Sequence, residues 1–137
     1  MARILAIDYG TKRVGLAVTD NLQIIATGLS TIHSKDVIAF LKDYFKKEQV
    51  ECVVVGEPKQ LNNQSSESAK YIEQFIRLFA KEFPEMPIKR VDERFTSKIA
   101  SRALVEGAYK KKDRQNKALL DEMSAVIILQ SYLEAKK

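Results

Sequence analysis

Ile4-Leu5-Ala6-Ile7-Asp8-Tyr9-Gly10-Thr11-Lys12-Arg13-Val14-Gly15-Leu16-Ala17-Val18 decides the fold. An apolar run ends on a carboxylate, a Gly-containing turn with two basic residues follows, and a second apolar run leads to Asp20. Short apolar runs bounded by turn residues read as strands, here residues 3–8 and 14–19 around a tight turn. A buried strand that carries an acid at its tip, beside such a turn, is a way to deliver a metal ligand. Two further acids stand in suitable settings downstream, Glu93 and Asp121. Three carboxylates distant in sequence and converging in space would support metal-dependent phosphodiester chemistry.

Outward from this pair, residues 22–32 supply a third strand through Ile24, Ile25 and Ile32, with Gly28 marking a bulge or bend. Ser34 is the expected N-cap of a helix carrying Val37, Ile38, Leu41, Tyr44 and Phe45 at helical spacing. Glu51 to Val55 is a compact β-branched run and reads as a buried strand. The polar stretch that follows opens on Gly56-Glu57-Pro58. Ser65 or Ser66 caps a second helix whose face is Ile72, Phe75, Ile76, Phe79 and Phe83, and Pro84 and Pro87 punctuate its exit. Ile88 to Val91 is a short strand. Thr96 or Ser97 caps a helix through Leu104 that Gly107 stops, and the last helix runs from about Lys117 to Glu134. Three strands, then strands alternating with helices, predict an α/β fold: an antiparallel meander followed by parallel strands.

A chain of 137 residues predicts one domain, residues 1–137. The net charge of +5 favours polyanionic partners, nucleic acid among them. The one cysteine, Cys52, excludes an intrachain disulfide and a Cys-rich zinc site. Within Cys52-Val53-Val54-Val55 it reads as a small buried hydrophobe. No run approaches the ~20 apolar residues of a membrane helix, and the opening residues lack the longer apolar segment of a signal peptide. The expectation is a cytoplasmic protein without membrane association.

Two-metal phosphoryl chemistry needs acids that share divalent cations, one activating water and the other stabilising the leaving oxygen. Asp8 and Glu93 both sit just past expected strand ends, where sites collect in sheets with parallel central strands. At about 100° per residue, Ala125, Ile128 and Tyr132 fall within about 40° of Asp121, so Asp121 lies along a core-facing arc near its helix start. An unpaired carboxylate there is costly, and a metal, a basic partner or the helix N-terminus must compensate. Alternatives remain open at each position. Asp8 can serve as a turn residue, Asp92-Glu93-Arg94 as a surface ion-pair cluster, and Asp121 as a complement to the helix dipole.

Basic side chains gather in two places. Lys110, Lys111, Lys112, Arg114 and Lys117 crowd the loop before the last helix, opposed only by Asp113, while Lys12 and Arg13 follow the first acid. Both groups suit phosphate contacts; a solvated charge run is the competing reading.

These residues together resemble the YqgF family, also called RuvX, small bacterial RNase H-like proteins related to the Holliday-junction resolvase RuvC. The resemblance spans essentially the whole chain. It rests on Ile7-Asp8-Tyr9-Gly10 through Lys12-Arg13-Val14-Gly15 to Asp20, on Val55-Gly56-Glu57-Pro58, on Asp92-Glu93-Arg94-Phe95-Thr96-Ser97 with Ala100, and on Asp121 with Ser124-Ala125 and Ile128-Leu129. It implies a five-stranded RNase H-like mixed sheet flanked by helices. It also implies a nuclease that matures the 5′ end of 16S rRNA from its precursor, with Asp8, Glu93 and Asp121 as catalytic and metal acids and Mg2+ or Mn2+ as cofactor. Asp92 is the neighbour most able to replace Glu93. Lys12, Arg13 and Arg94 become phosphate contacts. Glu57 stands where the family usually has an apolar residue and is an auxiliary ligand candidate, with a loop acid as its plainer reading.

The expected function is therefore a divalent-metal-dependent endonuclease acting on nucleic acid, precursor rRNA ahead of branched DNA. Alternatives are a Holliday-junction resolvase, which needs two opposed active sites and hence a dimer, and a non-catalytic nucleic-acid-binding factor with ribosome-assembly partners. No segment clearly supplies a dimer interface, so a monomer or weak dimer is expected.

Overall fold

The computed structural model describes residues 2–10, 12–57, 67–92 and 117–136. Five strands, β1 (Arg3–Tyr9), β2 (Arg13–Thr19), β3 (Ala26–His33), β4 (Val50–Glu57) and β5 (Ile88–Asp92), form one sheet in the order β3-β2-β1-β4-β5. The first three strands are an antiparallel meander; β4 lies parallel to β1, and β5 parallel to β4. Among the described residues three helices flank the sheet: α1 (Val37–Lys47), α2 (Glu67–Glu82) and α3 (Lys117–Lys136). This is the α/β meander-then-parallel architecture that the strand and helix periodicities predict. The helix expected over 96–104 and the caps Ser65 and Ser66 lie outside the described residues.

Strand alternation divides the core in two. Leu5 and Ile7 of β1, Val14 and Leu16 of β2, and Val53 and Val55 of β4 pack with Val37 and Leu41 of α1 and with Ile72, Phe75 and Phe79 of α2. On the other face Ile4, Ala6, Ala17, Cys52 and Val54 pack with Ala125, Ile128 and Leu129 of α3. Both faces of the central strands are thus buried, which is why β1 and β4 read as nearly continuous apolar runs.

The β1–β2 turn depends on Gly10, because a Cβ there would meet the carbonyl oxygen of Arg13 at 2.6 Å. The irregularity expected at Gly28 is present. Leu16 registers with Ser30 but Ala17 with Gly28, so Leu29 is the extra residue of a bulge.

Two expectations need correction. Ile24 and Ile25 are not strand residues; they sit in the β2–β3 loop, exposed together with Leu22. The Asp20 carboxylate accepts the amides of Leu22, Ile24 and Ile25 at 3.2, 2.8 and 2.9 Å, and this local ring outcompetes β pairing. Ser34 is not the N-cap of α1. Asp36 holds that position without a side-chain cap bond, while the Ser34 amide donates to the Lys12 carbonyl.

Candidate nuclease site

Asp8 is the penultimate residue of β1, the middle strand, and is half-buried. Alternation puts it on the face of Ile4 and Ala6, the face that α3 covers. Its register partner on β2 is Gly15. On β4, Val55 registers with Ile7, and the next residue is the buried Gly56. The acid therefore has a glycine on the strand to either side. This pair of glycines is a feature that reading the sequence by motif missed, although both stand in the quoted blocks.

The direction of α3 follows from Tyr132, whose hydroxyl hydrogen-bonds to Cys52 near the start of β4. Burial, and then Cys52, push that hydroxyl above the usual tyrosine range. Ala125, Ile128 and Leu129 lie over the sheet ahead of it. From Tyr132 back to position 121 the helix rises about 16 Å. From Cys52 to Gly56 strand β4 rises about 13 Å. The start of α3 thus comes to the pole where Asp8 stands. Position 121 precedes the fully buried Ala125 by one turn, on the stripe that also carries Ile128.

Lys12 and Arg13 are exposed at the same pole, where Arg13 registers with His33. Glu57 and Asp92 are register partners at the carboxyl ends of β4 and β5. On β4, Gly56 stands two residues after Val54 and so continues the face of Asp8. Glu93, Arg94, Lys110, Lys111, Lys112 and Arg114 lie outside the described residues. Among the described residues no group of three His, Cys, Asp or Glu forms a metal cluster. The donor Asp8 offers is a hard carboxylate oxygen, the type that Mg2+ and Mn2+ take.

A family model described as "RuvX: Holliday junction resolvase" matches residues 2–135. The chain belongs to the RuvX family. Two of its relatives carry the name "Putative pre-16S rRNA nuclease". That of Flavobacterium psychrophilum is 60% identical over 136 residues, 99% of each chain. That of Bacteroides thetaiotaomicron is 56% identical over 137 residues, 100% of this chain and 99% of the relative. Among solved structures, Thermus thermophilus RuvC in complex with a Holliday junction substrate superposes with a TM-score of 0.64 at 15% identity, covering 100% of this chain and 98% of that one. Fowlpox virus resolvase, bound to Holliday junction DNA, gives 0.58 at 15% identity and 98% coverage of both. At that identity the likeness fixes the fold of this RuvX family member, a RuvC-like mixed sheet. No helix among its described residues is long and apolar enough to cross a membrane.

Proposed function

We propose that this RuvX family member is a cytoplasmic divalent-metal-dependent endonuclease that hydrolyses phosphodiester bonds in precursor 16S rRNA. Its metal-binding and catalytic acids are Asp8, Glu93 and Asp121. The observation that carries this reading is the setting of Asp8: a half-buried carboxylate at the carboxyl end of the central strand, opposite Gly15 and on the face that α3 covers. The names of the relatives supply the substrate class.

Mg2+ or Mn2+ held by these acids supplies Lewis-acid charge at the phosphoryl group and lowers the pKa of water. Asp8 contributes its oxygens from the most constrained strand of the sheet, Asp121 from the start of α3, and Glu93 from the segment after β5. Lys12, Arg13 and Arg94, with Lys110, Lys111, Lys112 and Arg114, hold the substrate backbone by phosphate contacts that carry no sequence preference. Asp92 is the substitute acid beside Glu93, and Glu57 the auxiliary one. The protein acts as a monomer or weak dimer among ribosome-assembly partners.

The test compares wild type with Asp8→Asn for Mg2+- and Mn2+-dependent cleavage of precursor 16S rRNA and of a four-way DNA junction. Cleavage of the rRNA by wild type, lost in the mutant with the fold intact, is the expected result. Preference for the junction would move the assignment to a resolvase, as the family description has it. Equal, salt-sensitive binding without cleavage by either protein would overturn the enzyme reading in favour of an assembly factor. Glu57→Gln, with metal titration unchanged, would remove the auxiliary ligand.

A further inference from the structure

Asp8 and Tyr9 are consecutive, yet they serve opposite faces of the sheet. The Tyr9 ring stacks on Phe75 of α2, with centroids 4.6 Å apart and planes 18° from parallel. Beside that stack lies a cleft of about 320 Å³ between the end of β1, the start of α1 and the middle of α2. Tyr9, Ile38 and Leu78 give it apolar walls; Ser34, Lys35 and Gln74 give it a polar rim. The volume falls in the range of small-ligand pockets, which pair apolar walls with a few convergent polar groups.

Three observations say what enters it. Leu78 is 47% exposed, and Gln74, one turn earlier on α2, is exposed beside it; both line the cleft with Tyr9. An exposed leucine and the Tyr9 ring beside an amide suit a planar heteroaromatic ring: stacking is tolerant of base identity, and the amide both donates and accepts at a base edge. The rim is cationic. Lys35 is exposed, and the Ser34 amide donates to the Lys12 carbonyl at 3.2 Å, which brings the Lys12–Arg13 turn alongside. Asp36 is the only acid in the segment 33–38. Finally, the cleft opens at the pole of Asp8, from the very next residue of β1.

We propose that the Tyr9–Leu78 cleft holds a nucleobase of the substrate strand, splayed out from the nucleotide adjoining the phosphodiester at Asp8, with Lys35 on its phosphate. This rests on the nuclease reading for its strand, and it adds a base subsite on the sheet face opposite Asp8. Such a subsite requires an unpaired nucleotide beside the cut, because a base held in a duplex cannot enter.

The experiment is a titration of the full-length protein in EDTA, following the methyl resonances of Ile38, Val37 and Leu78. The probes are adenosine 5′-monophosphate, ribose 5-phosphate and a short single-stranded oligoribonucleotide. The mononucleotide is expected to shift the three methyls saturably, while ribose 5-phosphate does not, and Ile4 and Ile128 on the α3 face stay unmoved. Gln74→Ala should weaken the mononucleotide about fivefold and Lys35→Ala about threefold; both residues are exposed, so the fold is retained. The oligoribonucleotide should displace the mononucleotide at lower concentration, since further contacts act within one molecule. Silent methyls, or equal shifts from ribose 5-phosphate, would overturn base recognition. A mononucleotide that binds as tightly as the oligoribonucleotide would make the ligand a free nucleotide and overturn the strand assignment. Because EDTA removes catalysis, a silent cleft in a protein that still cleaves sinks only the subsite; an occupied cleft in a protein that never cleaves sinks only the nuclease.

Discussion

Asp8 of β1 stands directly opposite Gly15 of β2 in the antiparallel ladder. Opposed residues put their Cβ atoms about 4.5–5.5 Å apart on one face, so a glycine there leaves one flank of the carboxylate without a side chain. Gly15→Val fills that flank with a branched group. Its expected effect is a loss of Mn2+ affinity of roughly tenfold or more, the size seen when a metal-supporting neighbour is altered, together with loss of cleavage at unchanged secondary structure. Calorimetric titration with Mn2+ checks this; full affinity in the variant would detach Gly15 from the site.

Thr19 is the one buried polar side chain among the described residues. Its hydroxyl accepts the Ile4 amide at 2.9 Å and donates to the Asp20 carbonyl at 2.9 Å. The Arg3 guanidinium donates to the Thr19 carbonyl at 2.9 Å and pairs with Glu48. Thr19→Val keeps the shape but leaves the Ile4 amide buried without an acceptor. The expected cost is about 1–3 kcal/mol, read as a lower urea midpoint at unchanged slope.

What the sequence revealed, and where it misled, follows from how local each signal is. Asp8 was legible because a charge ends an apolar run. The α3 stripe was legible because one helical period predicts Ala125, Ile128 and Tyr132, and all three pack against the sheet. Ile24 and Ile25 misled because β propensity reports a half-buried surface, and here the Asp20 carboxylate fixes the backbone instead. Ser34 misled because its amide is taken by Lys12 across the hairpin, a contact that no local pattern contains. The placement of Gly56 beside Asp8 was not legible in either sequence block alone. It needed the register of β4 against β1, which only the assembled sheet supplies.

Hydrogen bonds from the Ile25, Ile24 and Leu22 amides hold the Asp20 carboxyl below the usual carboxylate value. A depressed folded-state pKa contributes stability that is present above the unfolded value, about 3.9, and is lost as pH falls through the folded one. The stability difference between wild type and Asp20→Ala should therefore be full at neutral pH and narrow as the pH drops below about 4. Urea denaturation of both proteins across that range measures it. A difference independent of pH would show that the ionised form has no special role in the β2–β3 loop.

Phe79 is the hub of the α1–α2 face. It is 1% exposed and touches three other rings: Phe75 at 6.0 Å, Phe83 at 4.8 Å and Phe45 of α1 edge-on at 6.4 Å. Phe45 in turn meets Phe83 edge-on at 5.0 Å. The surface ion pair of Lys42 with Glu82 also bridges these helices at 2.9 Å, but an exposed pair contributes little, about 0–1 kcal/mol. Phe79→Ala removes the hub and opens a cavity among rings that cannot all close inward, so the expected loss is about 3–5 kcal/mol. Phe79→Leu keeps most of the volume and should cost clearly less. Lys42→Ala should fall within about 1 kcal/mol of wild type. If Lys42→Ala approached the loss of Phe79→Ala, the ion pair and not the aromatic cluster would be what fastens α1 to α2.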